Sequence, residues 1–336
     1  FEGASKRTEL MNWIAFNNPF TEDDEPSYLV AEDQGKIVAF HGRMPSYFNV
    51  NGEKVKGYYV HDLYVDPEYR KKGLGFWLTI AIAKAIEEQS DHFFCLFGMT
   101  PLNLTMQRRR KYYETIAPRY VKLINPKKQL KNKLKSGLLT TIFSPLLAAG
   151  LAVADMFAGL GLGAINVSEI NRCGADYDQF YQKVAPKMKV ASYQTSDVVN
   201  WKFLDRPYPR EKMAVAKRGQ EIVGYIIYSL SPYDPGNPKG MIVGLIVDPE
   251  EQKVVKALHN YAIKYFRRQK VETIECVQSD PLLAKALKSL FFFKKKKGKT
   301  VMLGNLSHYP GDSDHIKEIT NWQMMECESD AFMLSL

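Results

Sequence analysis

A chain of 336 residues, 45% hydrophobic and 25% charged, is long enough for two separate cores, which excludes a disordered tail or a small disulfide-stapled scaffold. Its net charge of +9 favours anionic partners without choosing among phosphate-bearing small molecules, nucleic acid and a lipid headgroup surface. The four cysteines, Cys95, Cys173, Cys276 and Cys327, are scattered, with no Cys-x-x-Cys pair and no secretory leader, so core thiols in a reducing, cytoplasmic compartment are expected.

From the N-terminus, Asn12-Trp13 is followed by Pro19, and a strand is expected over Ala31–Phe40. A second strand, with Val60, Leu63 and Val65, ends at Asp66-Pro67, whose turn chemistry stops it. From Phe76 the apolar positions Trp77, Leu78, Ala81, Ile82, Ala85 and Ile86 recur at helical spacing up to Glu87-Glu88. Between strand and helix lies Arg70-Lys71-Lys72-Gly73-Leu74-Gly75. Its glycines allow close backbone approach, the first helical amides have no partners, and three cations sit beside them; a phosphate or pyrophosphate is the natural guest. The helix dipole adds about 0.3–2 kcal/mol for an anion there. A dinucleotide fingerprint would need a third glycine where this chain has Leu78.

Further on, the chain repeats itself. Asn200-Trp201 and Pro207 match Asn12-Trp13 and Pro19, the stretch Ala216–Tyr225 matches Ala31–Phe40, and Val247-Asp248-Pro249-Glu250 matches Val65-Asp66-Pro67-Glu68. Three landmarks in the same order at nearly constant separation imply an internal duplication. The second copy lacks the glycines: Glu251-Gln252-Lys253-Val254-Val255-Lys256 follows its turn, although Val254, Val255, Leu258, Tyr261, Ala262 and Tyr265 keep a core-facing helical stripe. A strand (Ala164–Ile170) and a helix (Asp176–Val184) precede the second copy and have no counterpart before Asn12, so the expectation is either a first unit without them or a sequence that begins inside the fold.

Between the copies, the Lys-rich stretch Asn125–Lys135 precedes an uncharged run from Gly137 to Ala154, which reaches the lower limit of about 18 residues for a membrane span. Ser144-Pro145, Gly150 and Asp155 interrupt it, which favours a helical hairpin packed on the domains over a segment dipping into a membrane surface. Near the end, Phe291–Phe293, Lys294–Lys297 and Thr300–Leu303 read as a hairpin with a charged turn; no aromatic interleaving supports a nucleic-acid site. The short cluster Asp312-x-Asp314-His315 reads as self-solvating, and no metal is expected.

The glycine segment resembles the acyl-CoA pyrophosphate loop of the GNAT acyltransferase superfamily, written Arg/Gln-x-x-Gly-x-Gly/Ala, and Leu63-x-Val65-x-Pro67-x-x-Arg70 before it matches as well. With the duplication, the chain is similar to the double-GNAT proteins, which include mycothiol synthase, N-myristoyltransferase and the Fem aminoacyl transferases. The resemblance implies a mixed α/β (α+β) fold of two tandem units, each a mostly antiparallel mixed sheet flanked by helices: residues 1–125 binding acyl-CoA, 126–165 as linker or helical hairpin, and 166–336 as a degenerate second unit. It implies acyl transfer from acetyl-CoA or a related acyl-CoA to a small amine, amino-sugar or peptide acceptor, with CoA held by Leu63, Val65, Arg70, Lys71, Lys72, Gly73, Leu74 and Gly75.

Histidine as a residue type suits a base at neutral pH, its unperturbed pKa being about 6.5, and the position of His61, four residues before Val65, matches a histidine base of some GNAT amine acetyltransferases. Tyr113, before Glu114-Thr115-Ile116-Ala117, stands where GNAT proteins often place a proton-donating tyrosine ahead of Glu-x-x-Gly-Phe, with Ala117 replacing the glycine and Tyr112 next in line. The basic stretch Gln107–Lys111 reads as a solvated helix face, with contact to the CoA ribose phosphate as the rival reading. The rival reading is a non-catalytic tandem module that binds CoA or a partner, with peripheral membrane contact through 137–165. Fem-like transfer fits less well with an intact CoA loop.

Overall fold

The computed structural model describes residues 2–22, 27–71, 74–97, 99–134, 137–158, 161–231 and 238–328. The first half of the chain runs α1 (Glu2–Phe16), β1 (Tyr28–Asp33), β2 (Lys36–Val50), β3 (Glu53–Val65), α2 (Pro67–Lys71), α3 (Leu74–Glu88), β4 (Phe94–Phe97), α4 (Pro101–Arg109), β5 (Tyr113–Ala117) and β6 (Arg119–Leu123). Two helices follow, α5 (Lys127–Leu134) and α6 (Gly137–Ala158). The second half contains β7 (Asn166–Ile170), α7 (Ala175–Val184), β8 (Val190–Ser192), α8 (Ser196–Val199), β9 (Lys212–Arg218), β10 (Glu221–Leu230) and β11 (Lys239–Val247). It ends with α9 (Gln252–Arg268), β12 (Thr273–Val277), α10 (Pro281–Ser289), β13 (Phe293–Lys294), β14 (Lys299–Gly304) and α11 (Ser313–Lys317).

The strands build two mixed sheets, as expected. One has the order β1-β2-β3-β4-β14-β5, with β8 beside β2; the other is β13-β6-β12-β11-β10-β9-β7. In each, the only parallel pair among the described residues joins the strand before the Asp-Pro turn to the strand after the following helix, β3 to β4 and β11 to β12. The other ladders are antiparallel.

The sheets also exchange strands. β6, from the first half, lies between β12 and β13, and β14, from the second half, lies in the equivalent place between β4 and β5. This corrects the hairpin expected at Phe291–Leu303. β13 and β14 do not pair with each other, and the exposed lysines Lys294–Lys297 form the crossover from one sheet to the other. A local hairpin loses here to longer ladders with distant strands.

The two stretches matched by the repeat are hairpins rather than single strands. Gln34 and Gly35, at φ 51° and 79°, turn β1 into β2, and Gly219, at φ 62°, turns β9 into β10. Positive φ at both central residues, as at Gln34-Gly35, or at the first, as at Gly219, is the turn geometry that follows the strand twist.

Each sheet carries its own core. Helix α3 sets Ile82 and Ile86 against Ala39, Val60 and Val65, and α9 sets Val254, Leu258, Ala262 and Phe266 under the second sheet. The opposite face of the first sheet, with Phe48, Tyr59, Phe93 and Cys95, packs on α1 and on Trp201 and Trp322 from the second half. The two repeat tryptophans meet, since Trp13 Nε1 donates to the Trp201 carbonyl at 3.2 Å. All four cysteines are buried free thiols, as expected.

Candidate active site

The site begins where β3 leaves its neighbours. Its register against β2 shifts between Phe40↔Tyr64 and Gly42↔His61, so β3 carries one extra residue, with Asp62 at φ 49°. Such a bulge bends and twists the strand that holds it. On the other side, β3 pairs with β4 only at Tyr58↔Phe94 and Tyr59↔Cys95. From Val60 to Val65 no described strand pairs with β3 on that side, and the two strands open into a wedge with its apex at Tyr59.

At the wide end of the wedge the expected turn contains a helical turn of its own. Asp66 Oδ1 accepts from the Glu68 amide at 2.9 Å and Pro67 opens α2, the arrangement that starts a helix cheaply. Lys36, 2.9 Å from Asp66, together with the Glu68 amide, holds the Asp66 carboxyl below its ordinary range. Arg70 and Lys71 therefore end α2 just before α3 begins. A Cβ on Gly75 would fall 2.9 Å from Arg70 Cα, so that glycine serves the close packing of α2 on α3. Lys72 and Gly73 lie outside the described residues. Leu63 and Val65 turn their side chains into the core against α3, which leaves their backbones to line the wedge.

Beside the N-terminus of α3 the Arg109 guanidinium lies 5.1 Å from the Phe76 ring centroid. Its neighbours are committed elsewhere: Arg108 makes two 2.6 Å bonds to Glu114, and Arg110 donates to the Ala83 carbonyl at 3.0 Å. Gln107 is buried, bonded to Asn103 at 2.9 Å. Of the basic stretch, Arg109 is the residue set beside the start of α3, whereas Arg110 is bonded further along that helix, to Ala83 and Glu87.

His61 is buried on the sheet face turned away from α3, its ring packed over Gly42 and edge-on to Tyr28. Neither ring nitrogen has a hydrogen-bond partner among the described residues, and Nδ1 stands 3.5 Å from Asp62 Oδ2. Burial works to raise the Asp62 carboxyl, but His61, Arg7 and the Tyr28 hydroxyl outweigh it and hold it below its ordinary range. The arrangement supplies a buried imidazole oriented beside an ionised carboxylate.

Two residues back, at the apex, Tyr59 joins a polar cluster that the sequence reading missed. Its hydroxyl bonds to Ser192 Oγ at 2.8 Å and donates to Glu328, and Lys202 Nζ lies 3.7 Å from the same carboxylate. All four side chains are buried. Burial, and then the Glu328 charge, push the Tyr59 hydroxyl well above its ordinary range. The cluster joins β3, β8, the π-helical turn Asn200–Leu204 and the segment after α11, so no local pattern announces it. The single available signal was Lys202, next to the repeat tryptophan Trp201.

Tyr113 is not brought to this place. It pairs with Leu303, Leu303 with Cys95 and Cys95 with Tyr59. Three strand spacings, about 14 Å, separate its backbone from that of Tyr59. The Tyr113 ring is exposed, with Lys317 Nζ 5.9 Å from its centroid. Tyr112 donates to Glu87, and its ring fills the space above Gly304.

In the second unit the same turn recurs: Asp248 Oδ1 accepts from the Glu250 amide at 3.0 Å, and Lys187 pairs with Asp248. β11 leaves β12 after Ile242↔Cys276, but this gap is closed by the chain itself. Gln323 Nε2 donates to the Leu245 carbonyl at 2.7 Å, and Met325 and Cys327 are buried in the core of the second unit. The profile of the acetyltransferase (GNAT) family matches residues 3–107 and 177–287, more than half of the chain and one stretch in each unit. The chain belongs to that family.

Its GNAT units stand in tandem, and solved structures share the arrangement. Saccharomyces cerevisiae N-myristoyltransferase with bound myristoyl-CoA is similar at 14% identity and a TM-score of 0.57, over 94% of this chain and 79% of that one. A second structure of the yeast enzyme with myristoyl-CoA matches at 14% identity and a TM-score of 0.53, over 88% and 69%. A GCN5-related N-acetyltransferase from Kribbella flavida matches at 15% identity and a TM-score of 0.51, over 82% of this chain and 59% of that one. At these identities the likeness is one of fold. No curated protein matches the sequence significantly. Membership of the GNAT family makes acyl-CoA-dependent acyl transfer the class of chemistry to which the site belongs.

Proposed function

We propose that the N-terminal unit is an N-acyltransferase that moves an acetyl or related acyl group from acyl-CoA to an amine acceptor entering between the two units. The observation that carries this reading is the wedge: among the described residues no strand covers the edge of β3 from Val60 to Val65, between a helix N-terminus with cations at one end and buried proton-handling groups at the other. An extended polar chain fits such an edge as an added strand would. Arg70, Lys71 and Lys72, with the amides of Gly73, Leu74 and Gly75, are the partners for a pyrophosphate. The backbones of Leu63 and Val65 are those for the pantetheine arm, and an amide beside Val65 would stabilise the developing oxyanion.

Acyl-CoA supplies a thioester whose acyl carbon is attacked directly by the acceptor nitrogen, with loss of the CoA thiolate. His61 accepts the proton that the attacking nitrogen sheds, while Asp62 orients the ring and steadies its charge. Tyr59, about 7 Å away along the same strand face, is better placed than Tyr113 to return a proton to the leaving sulfur. A small amine, an amino sugar and a peptide each offer the free amine that the proposal requires.

Calorimetric titration with acetyl-CoA, followed by thiol-release assays over a panel of amines, tests the reading. His61→Gln and Tyr59→Phe should each lower kcat by about a hundredfold while CoA affinity stays within about twofold, and Tyr113→Phe should change neither. A wild type that binds no acyl-CoA would sink the proposal and leave a non-catalytic tandem module.

A further inference from the structure

Helix α6 is inside out for a helix in water. The side turned to the protein carries Ser144, Ala148, Leu151 and Asp155, at spacings of four, three and four, while Ile142, Phe143, Leu146, Val153, Met156 and Phe157 are exposed. Leu146, Met156 and Phe157 are 65%, 61% and 60% exposed. The anchor explains the orientation. Asp155 accepts from Lys122 Nζ at 2.6 Å and from Arg267 Nε at 3.1 Å, and buried Lys122 also donates to the Leu290 carbonyl at 2.6 Å. Turning α6 over would expose its apolar residues no less usefully to the core, but it would strip Lys122 and Arg267 of their carboxylate.

The apolar face is bordered by cations. α5 reads Lys-Lys-Gln-Leu-Lys-Asn-Lys-Leu, with no acidic residue. A groove of about 380 Å³ between α5, α6 and the second unit is lined by Lys127, Arg267 and Lys270 beside Thr141 and Ser144, with no carboxylate among its described lining residues. Lys122, which holds Asp155 of α6, also has its Nζ 5.5 Å from the Phe291 ring centroid, at the start of the crossover that carries exposed Phe291, Phe293 and Lys294–Lys297. No helix among the described residues is long and apolar enough to cross a membrane.

We propose that α6, flanked by α5 and the 291–297 crossover, is a docking surface for an anionic phospholipid bilayer, with α6 lying in the headgroup plane, its outward side chains in the acyl region and the basic groove receiving a phosphate-bearing headgroup. A large apolar patch beside lysine-rich α5 and a basic groove with no carboxylate among its described lining residues is complementary to such a surface, which supplies hydrocarbon beneath a layer of negative charge. The inference stands apart from the acyl-transfer reading, because vesicle binding needs neither acyl-CoA nor an acceptor.

Sedimentation of the full chain with vesicles of phosphatidylcholine, alone or mixed with phosphatidylserine, tests it. The expected result is binding at least about tenfold tighter to the mixed vesicles, weakened by salt. Leu146→Glu with Phe157→Glu should abolish binding at unchanged circular dichroism and Tm, and Lys294–Lys297 changed to Gln should remove the phosphatidylserine preference. Equal sedimentation with and without vesicles, or full binding by the Glu variant, overturns the proposal. So does concentration-dependent self-association without lipid that the Glu variant abolishes, since the face would then join two copies of the chain.

Discussion

In the N-terminal unit β3 parts from β4 after Tyr59, and its edge from Val60 to Val65 has no described strand beside it; in the C-terminal unit β11 parts from β12 after Ile242, and Gln323, Met325 and Cys327 fill the opening. Both gaps lead into the same turn, in which an aspartate accepts from the amide two residues on and pairs with a lysine from another element. The loops after the turn differ. One runs through Arg70-Lys71-Lys72-Gly73-Leu74-Gly75, the other through Glu251-Gln252-Lys253-Val254. A duplicated frame keeps its opening as a ligand site only where the chain leaves the edge free and the following helix start accessible. Where it fills the edge with its own segment, the opening becomes core.

The comparison can be broken most severely at the segment that closes the second gap. Lys202→Met would leave Glu328 buried without its cation, and urea unfolding should show a loss of about 3–5 kcal/mol, most of it regained in the Lys202→Met, Glu328→Gln pair. Next comes the open side. Gly75→Glu sets a Cβ against Arg70 and a negative charge at the helix start, so acetyl-CoA affinity by calorimetry should fall by about a hundredfold. Gln252→Glu at the matching helix start of the second unit should leave it unchanged. A smaller effect is expected from Gln323→Ala, which strips the Leu245 carbonyl of its donor and should cost about 1–3 kcal/mol without altering CoA affinity.

The mildest test is acid. Burial, helped by His61 and Arg110, depresses His41 in the first unit to about 3, and burial depresses His259 in the second to about 4. Unfolding frees both to take a proton below about 6.5. Between those values the unfolded state binds more protons, so stability should decline as pH falls from about 6.5 towards 4. His259→Gln should flatten that slope in chemical denaturation from pH 7.5 to pH 4.5.

Much of the frame was legible in the chain. The Asp-Pro turns, the helix stripes of α3 and α9, and the strand and helix at β7 and α7 are written in neighbouring residues, and they form near the expected positions. Hairpins at Gln34-Gly35 and Gly219-Gln220 were readable from glycine within the polar stretches Glu32–Lys36 and Lys217–Glu221, but a single strand was read through each. Of the candidate site, the basic glycine segment and His61 were visible as residue types at a spacing, whereas Tyr113 was placed by motif and stands on the far edge strand.

By itself, the sequence determined the duplication, the local elements and the loss of glycines in the second copy, because each depends on contacts within a few residues. Tertiary structure alone decided the exchange of β6 and β14, the closing of the second gap, the outward face of α6 and the meeting of Tyr59, Ser192, Lys202 and Glu328. Tyr59, the stretch with Ser192 and Lys202, and Glu328 lie more than a hundred residues from one another. What joins them is competition among whole sheets for edges and buried charges for partners, which no local pattern records.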